Sequence, residues 1–166
     1  MSKAKDKKKQ LATDGQTVAV NRRARFDYEI EDSFEAGLVL TGTEVKSIRR
    51  GDVQIAEAYA ALETVPHRAT EAWLHSMHIA PYKEGNAFNP DSRRKRKLLL
   101  RREQITKLAA GTQQKGYTLV PLKLYFARGK AKIEIGLAKG RKRHDKRQAI
   151  EERETKRDLR RVVNES

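Results

Sequence analysis

The densest group of side chains that could act in chemistry lies near the C-terminal end, in residues 139–147. This segment reads KGRKRHDKR, and six of its nine residues are Lys or Arg. At such spacing nearly every face of any backbone conformation presents positive charge to phosphate groups, which are bound with release of counterions. His144 adds a ring that can stack on a nucleobase. The segment therefore predicts binding to a polyanion, and a generic solvated basic tail is the alternative.

The whole C-terminal segment, residues 139–166, is too polar to fold by itself. It contains eleven Lys or Arg and six Asp or Glu among its 28 residues, with few large apolar side chains. Such a segment cannot bury enough apolar surface to offset the entropy lost on ordering. Asp145 with Gln148 resembles a capping box, and Glu152 with Lys156 is a favourable i, i+4 pair. We therefore predict a basic C-terminal tail that is coil when free and helical when bound.

The histidines of the chain predict neither an active site nor a metal site. His67, His75, His78 and His144 show no metal-ligand spacing with nearby acids, and the chain has no cysteine. On a strand, His75 and His78 would point to opposite faces of the sheet. The sequence also lacks a phosphate-binding glycine loop and a nucleophile motif. We predict that the protein is not an enzyme and uses no metal and no cofactor.

The overall charge also favours nucleic acid as the partner. The chain of 166 residues has 37 Lys and Arg against 22 Asp and Glu, a formal net charge of +15. No stretch approaches the roughly 20 apolar residues of a membrane-spanning helix, and the polar N-terminus lacks the apolar run of a signal peptide. We expect a soluble, cytoplasmic protein that does not bind membranes.

The pattern of apolar residues predicts short strands and two small helices between positions 17 and 138. Residues 1–16 are polar and Lys-rich, and are predicted to form a disordered basic arm. Alternation predicts strands at 26–30 and 37–41, as a hairpin or meander, at 58–63 and 72–79, and at 117–126 and 131–137, as a hairpin that turns at Arg128 and Gly129. Helical spacing predicts helices at 43–50, ended by Gly51, and at 102–115. Hairpin-linked strands without a βαβ rhythm favour a mainly β domain with small helices. We predict an OB-like closed antiparallel β-barrel.

Six motifs in the chain resemble, in the same order, those of one known family. They are NRRAR at 21–25, FEAGL at 34–38, GTEVKS at 42–47, RKLLL at 96–100, VPLKLY at 120–125 and AKGRKRHDKR at 138–147. On these motifs the chain resembles the SsrA-binding protein family, also called small protein B, from about residue 18 to residue 161.

The resemblance implies a role in ribosome rescue by trans-translation. Members of this family bind the tRNA-like domain of transfer-messenger RNA and deliver it to stalled bacterial ribosomes, where incomplete proteins are tagged. The complex mimics a whole tRNA, and the tail lies in the empty mRNA channel beyond the decoding centre of the small subunit. Transfer-messenger RNA and the ribosome are therefore the expected partners, and we expect a monomer in the free form. A ribosomal protein or a general RNA chaperone is the alternative.

The same motifs suggest binding residues in the body and in the tail. The predicted RNA-binding residues of the body are Asn21, Arg22, Arg25, Tyr28, Glu35, Glu44, Lys46, Arg93, Arg94, Lys95, Arg96 and Lys97. The predicted ribosome-binding residues of the tail are Lys139, Gly140, Arg141, Lys142, Arg143, His144, Asp145, Lys146 and Arg147. The basic run 93–97 is interpreted as a cationic patch against an RNA backbone, with a nuclear-localisation cluster as the alternative.

Several body residues also have ordinary structural interpretations. An asparagine such as Asn21 is typical of a turn or a cap, and Tyr28 could be a core aromatic residue. Glu44 and Lys46, on the polar side of the predicted helix, could form a surface salt bridge. A carboxylate such as Glu35 suits an RNA-binding surface only where it accepts hydrogen bonds from base or ribose donors.

Overall fold

The computed structural model describes residues 14–164, apart from the side chains of residues 86, 87 and 143–145. Most of the predicted arm, residues 1–13, lies outside the described residues. The strands are β1 (Thr17–Val20), β2 (Tyr28–Leu38), β3 (Val53–Gln54), β4 (Tyr59–Glu63), β5 (Glu71–His75), β6 (His78–Ile79), β7 (Arg96–Leu99), β8 (Tyr117–Ala127) and β9 (Lys130–Gly140). The helices are α1 (Ala24–Asp27), α2 (Gly42–Arg49), α3 (Arg102–Thr112), α4 (Arg143–Asn164) and a 3-10 helix (Lys83–Phe88).

Hydrogen bonding between the strands closes on itself. Within residues 14–164, six strands pair in the order β8, β4, β5, β7, β2 and β9, and β9 pairs again with β8. All of these pairings are antiparallel, and β1 adds to the edge of β8 next to β4. The prediction of an antiparallel sheet with small helices is confirmed, and the bonds form a ring.

The main hydrophobic core lies inside this ring. Alternate residues of β8 and β9 point inward, and Leu124, Phe126, Ile133 and Ile135 are all completely buried. Ile48 of α2 and Leu108 of α3 also belong to this cluster, so both helices close the ring with one apolar face. The two helices lie close to their predicted positions.

The strongest sequence prediction was the hairpin of β8 and β9, and it is confirmed. The two strands pair from Tyr117 with Lys139 to Ala127 with Lys130. Arg128 and Gly129 form the connecting turn with φ of 51° and 73°, the backbone region that tight hairpin turns require. Gly129 N also donates to Asp14 Oδ1 at 2.9 Å, so contacts with this hairpin begin three residues before the predicted domain start.

Two strand predictions were wrong in their boundaries. Residues 26–30 and 37–41 were expected to be two strands of a hairpin or meander, but the chain forms helix α1 and then the single long strand β2. A register shift between Ile30 and Asp32 lets β2 follow β9 along its whole length, which removes the need for a turn. Residues 72–79 were expected to be one strand, but Ser76 has φ of 62°, which ends β5 and separates it from β6.

A second, smaller apolar cluster lies on the opposite face of β8 and β9. Leu119 belongs to the main core, whereas its neighbour Val120 packs with Ala24, Leu122 and Ala138. Consecutive strand residues point to opposite faces, so this small cluster lies outside the ring. It anchors helix α1 on the outer surface of the sheet.

Candidate nucleic-acid interface

Helix α1 presents exposed arginines on the outside of the ring. Arg22, Arg23 and Arg25 are all exposed, whereas Ala24 between them is buried in the small cluster. Asn21 holds this arrangement, because its Nδ2 donates to Pro121 O at 2.9 Å and its Oδ1 accepts from Ala24 N at 3.2 Å. Asn21 is 5% exposed, so little of its side chain is open to a partner, and its contact with RNA stays a prediction. Asn21 positions the arginines.

The tail begins beside these arginines. Its first two predicted residues, Lys139 and Gly140, are still part of β9 and pair with Glu29 and Tyr28. Arg141 N then donates to Asp27 O at 2.9 Å, and Arg141 Nε donates to Tyr28 O at 3.2 Å. The basic residues of the tail root therefore meet helix α1.

Asp27 is the acid around which this cationic region is arranged. Its carboxylate lies 3.3 Å from Lys146 Nζ and 3.5 Å from Arg23 Nε. Lys146 belongs to α4, so one carboxylate joins α1 to the first turn of the tail helix. Sequence reasoning missed Asp27 and Arg23; the NRRAR motif includes Arg23, but only the fold brings the tail to Asp27.

Helix α4 makes few contacts with the body beyond its root. The guanidinium of Arg153 lies 5.9 Å from the centre of the Phe26 ring, and residues 151–164 are exposed. The tail is helical in this structure, because α4 spans Arg143–Asn164, whereas its change from coil when free to helix when bound stays a prediction. The side chains of Arg143, His144 and Asp145 lie outside the described ones, so their ribosome-binding roles stay predictions. Lys142 and Arg147 are exposed, as polyanion contacts require.

Glu35 belongs to one of two tyrosine–carboxylate pairs that join β2 to β8. Tyr125 donates its hydroxyl hydrogen to Glu35, and Tyr117 donates to Glu31 at 2.5 Å. Each pair bridges β2 and β8 over β9. Burial and the neighbouring Glu35 carboxylate raise the pKa of Tyr125 above its ordinary value, so this hydroxyl stays protonated and donates. The role of Glu35 in RNA contact stays a prediction.

The basic run 93–97 does not form one cationic patch. Arg93 lies 3.7 Å from Glu57, Lys95 lies 3.0 Å from Glu63, and Lys97 lies 3.1 Å from Glu71. Arg94 and Arg96 both pair with Glu44. Strand alternation sends neighbouring side chains to opposite faces, and each of the five meets a carboxylate. Arg96 is 0% exposed, and RNA contact by the residues of this run stays a prediction.

Glu44 was also predicted to contact RNA, and this stays a prediction for a side chain that is buried here. The residue is 3% exposed, and its Oε2 accepts from Arg96 Nε at 2.6 Å while Oε1 accepts from Thr41 N at 3.0 Å. Burial by itself raises the pKa of Glu44, but the hydrogen bonds from Arg94, Thr41 and Arg96 hold it below its ordinary value.

Lys46 does not pair with Glu44. It is exposed on α2, with Nζ 5.3 Å from the centre of the Tyr82 ring. The predicted surface salt bridge between Glu44 and Lys46 is therefore wrong, because Glu44 turns toward β7 and Lys46 toward the 3-10 helix.

Metal sites and membrane-spanning helices can be assessed for the part of the chain that the structure describes. Among those residues, no group of three or more His, Asp or Glu side chains is arranged to hold a metal ion. In the same residues, no helix is both long enough and apolar enough to cross a membrane.

Comparisons with known proteins agree on one family. The model of the SmpB protein family matches residues 18–165. The SsrA-binding protein of Geobacillus thermodenitrificans is 49% identical over 152 residues, which cover 92% of this chain and 95% of the relative. That of Alkaliphilus metalliredigens is 49% identical over 156 residues, with 93% and 96% covered. A solved structure described as "tmRNA-SmpB: a journey to the center of the bacterial ribosome" matches with a TM-score of 0.62 and 47% identity over 80% of this chain and 93% of that chain.

Proposed function

Because the chain belongs to the SmpB family of SsrA-binding proteins, we infer that it binds transfer-messenger RNA and acts in trans-translation on the bacterial ribosome. The observation that carries this inference is the family match over residues 18–165, which includes both the ring and the tail helix. It works as a binding protein, without chemistry of its own, by presenting charge and shape to RNA. The ribosome as partner also implies a cytoplasmic location.

The body and the tail divide the work. The body, residues 17–138 in outline, is proposed to be an OB-type closed barrel that docks on the tRNA-like domain of the RNA. Exposed Arg22 and Arg25, with Tyr28 and Glu35, are its proposed contacts. Asn21 positions the two arginines from inside the protein, through its bonds to Pro121 and Ala24.

The tail is proposed to follow the mRNA channel of the small subunit. Residues 139–147 supply the dense positive charge at its root, and α4 continues as an exposed helix that few body contacts hold in place. A helix of this kind is stabilised by neutralisation of its many like charges, which ribosomal phosphates would provide. We propose that the tail adopts its stable helical form there.

Competition binding tests the proposed RNA specificity. Labelled transfer-messenger RNA bound to the full chain is challenged with bulk tRNA at a stated physiological salt concentration, because each neutralised phosphate changes the log–log salt slope by about −0.7 to −0.9. Retention of the labelled RNA against excess tRNA is the expected result. Equal displacement by both RNAs would favour the alternative, a ribosomal protein or a general RNA chaperone.

A charge-matched pair of variants localises the contact. Replacing Arg22 and Arg25 by Gln removes two exposed charges from α1, whereas replacing Arg102 and Lys107 by Gln removes two exposed charges from α3. The α1 variant should bind transfer-messenger RNA more weakly, and the magnitude of its log–log salt slope should be smaller by about 1.4 to 1.8. The α3 variant should bind like the wild type, and an equal loss in both would contradict the proposed surface.

A further inference from the structure

A cleft of about 340 Å³ lies between helix α1 and the loop that leads into β4. Its floor consists of small apolar side chains, with Ala24, Ala58 and Val120 all buried beneath it. Two tyrosines, Tyr28 and Tyr59, also line it. The volume lies in the range of small-ligand sites, and a flat apolar floor between aromatic rings suits a planar ring. We call it the α1 cleft.

Tyr59 has the geometry of a stacking platform. One face of its ring stacks on His75, with ring centres 5.1 Å apart and an interplanar angle of 11°. His75 is itself held by Glu63, whose Oε1 lies 3.7 Å from Nε2. Tyr59 is 46% exposed, so a ligand ring in the cleft can extend the stack on its other face. A ring fixed in advance loses little conformational entropy when a base stacks on it.

The polar groups of the cleft separate the place of a base from the place of its phosphate. Asp27 and Glu57 line the cleft, and their carboxylates accept hydrogen bonds from the amino and imino groups of bases but repel phosphate. Arg23 also lines it, with a side chain that is 78% exposed. A phosphate is therefore favoured at the mouth beside Arg23, with the base inside.

We propose that the α1 cleft binds one unstacked nucleobase of an RNA partner, with the base on Tyr59 and its phosphate beside Arg23. This inference rests on the proposed RNA-binding function. In this site Tyr59 stacks on the base, Arg23 binds its phosphate, and Asp27 and Glu57 accept hydrogen bonds from the base. Transfer-messenger RNA and ribosomal RNA both present such bases in loops, and the experiment distinguishes the two sources.

Zero-length ultraviolet crosslinking tests the proposal on the full chain. Complexes with transfer-messenger RNA alone, and with ribosomes that carry it, are irradiated and digested with trypsin. The fragment of residues 51–68 contains Tyr59 as its only tyrosine, so a nucleotide adduct on it can be assigned by mass spectrometry. An adduct at Tyr59 in the RNA-only complex identifies transfer-messenger RNA as the source. An adduct at Tyr59 that forms only in the ribosome complex, and whose cross-linked RNA has a ribosomal RNA sequence, identifies ribosomal RNA as the source.

Filling the cleft is the sharpest control. Ala56 lines the cleft and is exposed, so Ala56→Trp fills the space without disturbing the core. The Tyr59 adduct should disappear in this variant although Tyr59 is still present. Persistence of the adduct in Ala56→Trp, or its absence in wild-type complexes that bind RNA normally, would overturn the proposal while leaving the proposed function intact. Failure of the wild type to bind either RNA would overturn the proposed function, and this inference with it.

Affinity measurements separate stacking from a general loss of aromatic surface. Tyr59→Ala should weaken the affinity for the cross-linked RNA by about tenfold, the effect of removing one base stack. The affinity of Tyr59→Phe should stay within about threefold of the wild type, because its ring can still stack. Phe88→Ala is the matched control, because Phe88 is 84% exposed and lies on the 3-10 helix, outside the cleft. Equal effects of Tyr59→Ala and Phe88→Ala would contradict the assignment, and thermal unfolding shows that each variant folds.

Discussion

Arg96 of β7 and Glu44 of α2 form an ion pair inside the protein, with Nε and Oε2 2.6 Å apart. The same guanidinium donates to Met77 O at 2.6 Å and to Ser92 O at 3.1 Å. Burial of two charges is tolerated only where attraction and hydrogen bonds replace the lost hydration. This pair therefore fixes α2 against β7 and the segment that precedes it.

Removing one partner of this pair should destabilise the fold without changing RNA recognition. Glu44→Gln leaves the buried Arg96 charge without its counterion, and we expect a loss of about 3 kcal/mol in the free energy of unfolding. Urea denaturation measures it. Glu84→Gln is the control, because Glu84 forms an exposed pair with Arg50 and its removal should leave the free energy of unfolding close to that of the wild type. RNA affinity per folded molecule should equal that of the wild type; a specific loss of affinity would return Glu44 to the RNA-binding surface.

The Glu44 carboxylate should also make stability depend on pH. Its pKa is lower in the folded protein, so its contribution is complete above the unfolded value of about 4.3 and is lost as pH falls through the folded value. The difference in unfolding free energy between the wild type and Glu44→Gln should therefore be constant from pH 7 to about pH 5 and narrow below about pH 4. Denaturation of both proteins across this range measures it, and a difference that widens in acid would contradict the sign.

Residues that act locally could be predicted from the sequence, whereas long-range partners could not. Gly51 and Gly129 were placed at an end of a helix and at a turn because these positions need φ above zero, and both have it. The run 93–97 was misinterpreted because a list of charges does not show which carboxylates face them. These carboxylates are Glu57 in the loop before β4, Glu63 at the end of β4 and Glu71 at the start of β5.

The candidate site shows the same limit. The arginines of NRRAR and Asn21 were selected from the family motif, which does not show that Asn21 bonds to Pro121, 100 residues away in the chain. The tail was found from its charge. Its attachment to Asp27 depends on β9 returning beside the start of β2, which only the ring establishes.

The contact between Asp27 and Lys146 should restrict the direction of the tail. Asp27→Asn removes the charge that Lys146 Nζ approaches at 3.3 Å, while the backbone bond from Arg141 N to Asp27 O is kept. We expect faster hydrogen exchange of the backbone amides in the first turn of α4. We also expect a broader distribution of distances between a spin label on the body and one at residue 156. Because the pair is partly exposed, body stability should change by less than about 1 kcal/mol. A distance distribution identical to that of the wild type would show that Asp27 does not hold the tail.

The stability of the body should depend on where the C-terminal tail is truncated. A chain that ends at residue 142 keeps all of β9 and the bonds of Arg141, so it should bind transfer-messenger RNA with wild-type stability but fail to tag proteins on stalled ribosomes. A chain that ends at residue 138 loses the bonds from Gly140 N to Gly116 O and from Arg141 N to Asp27 O. It should be less stable by about 2 kcal/mol. Loss of RNA binding in the longer truncation would contradict the division between body and tail.

The isolated tail should not keep the helix that α4 shows in the whole chain. Its apolar residues Ile150 and Leu159 are 41% and 61% exposed in the structure, so they add little packing to stabilise the helix. Helices of about 20 residues are marginal in water without tertiary contacts, and repulsion among many cations weakens this one further. Circular dichroism of a peptide of residues 143–164 should show mostly coil at low salt and a gain of helix when a polyanion neutralises it. A peptide that is fully helical alone would mean that the tail enters the ribosome preformed.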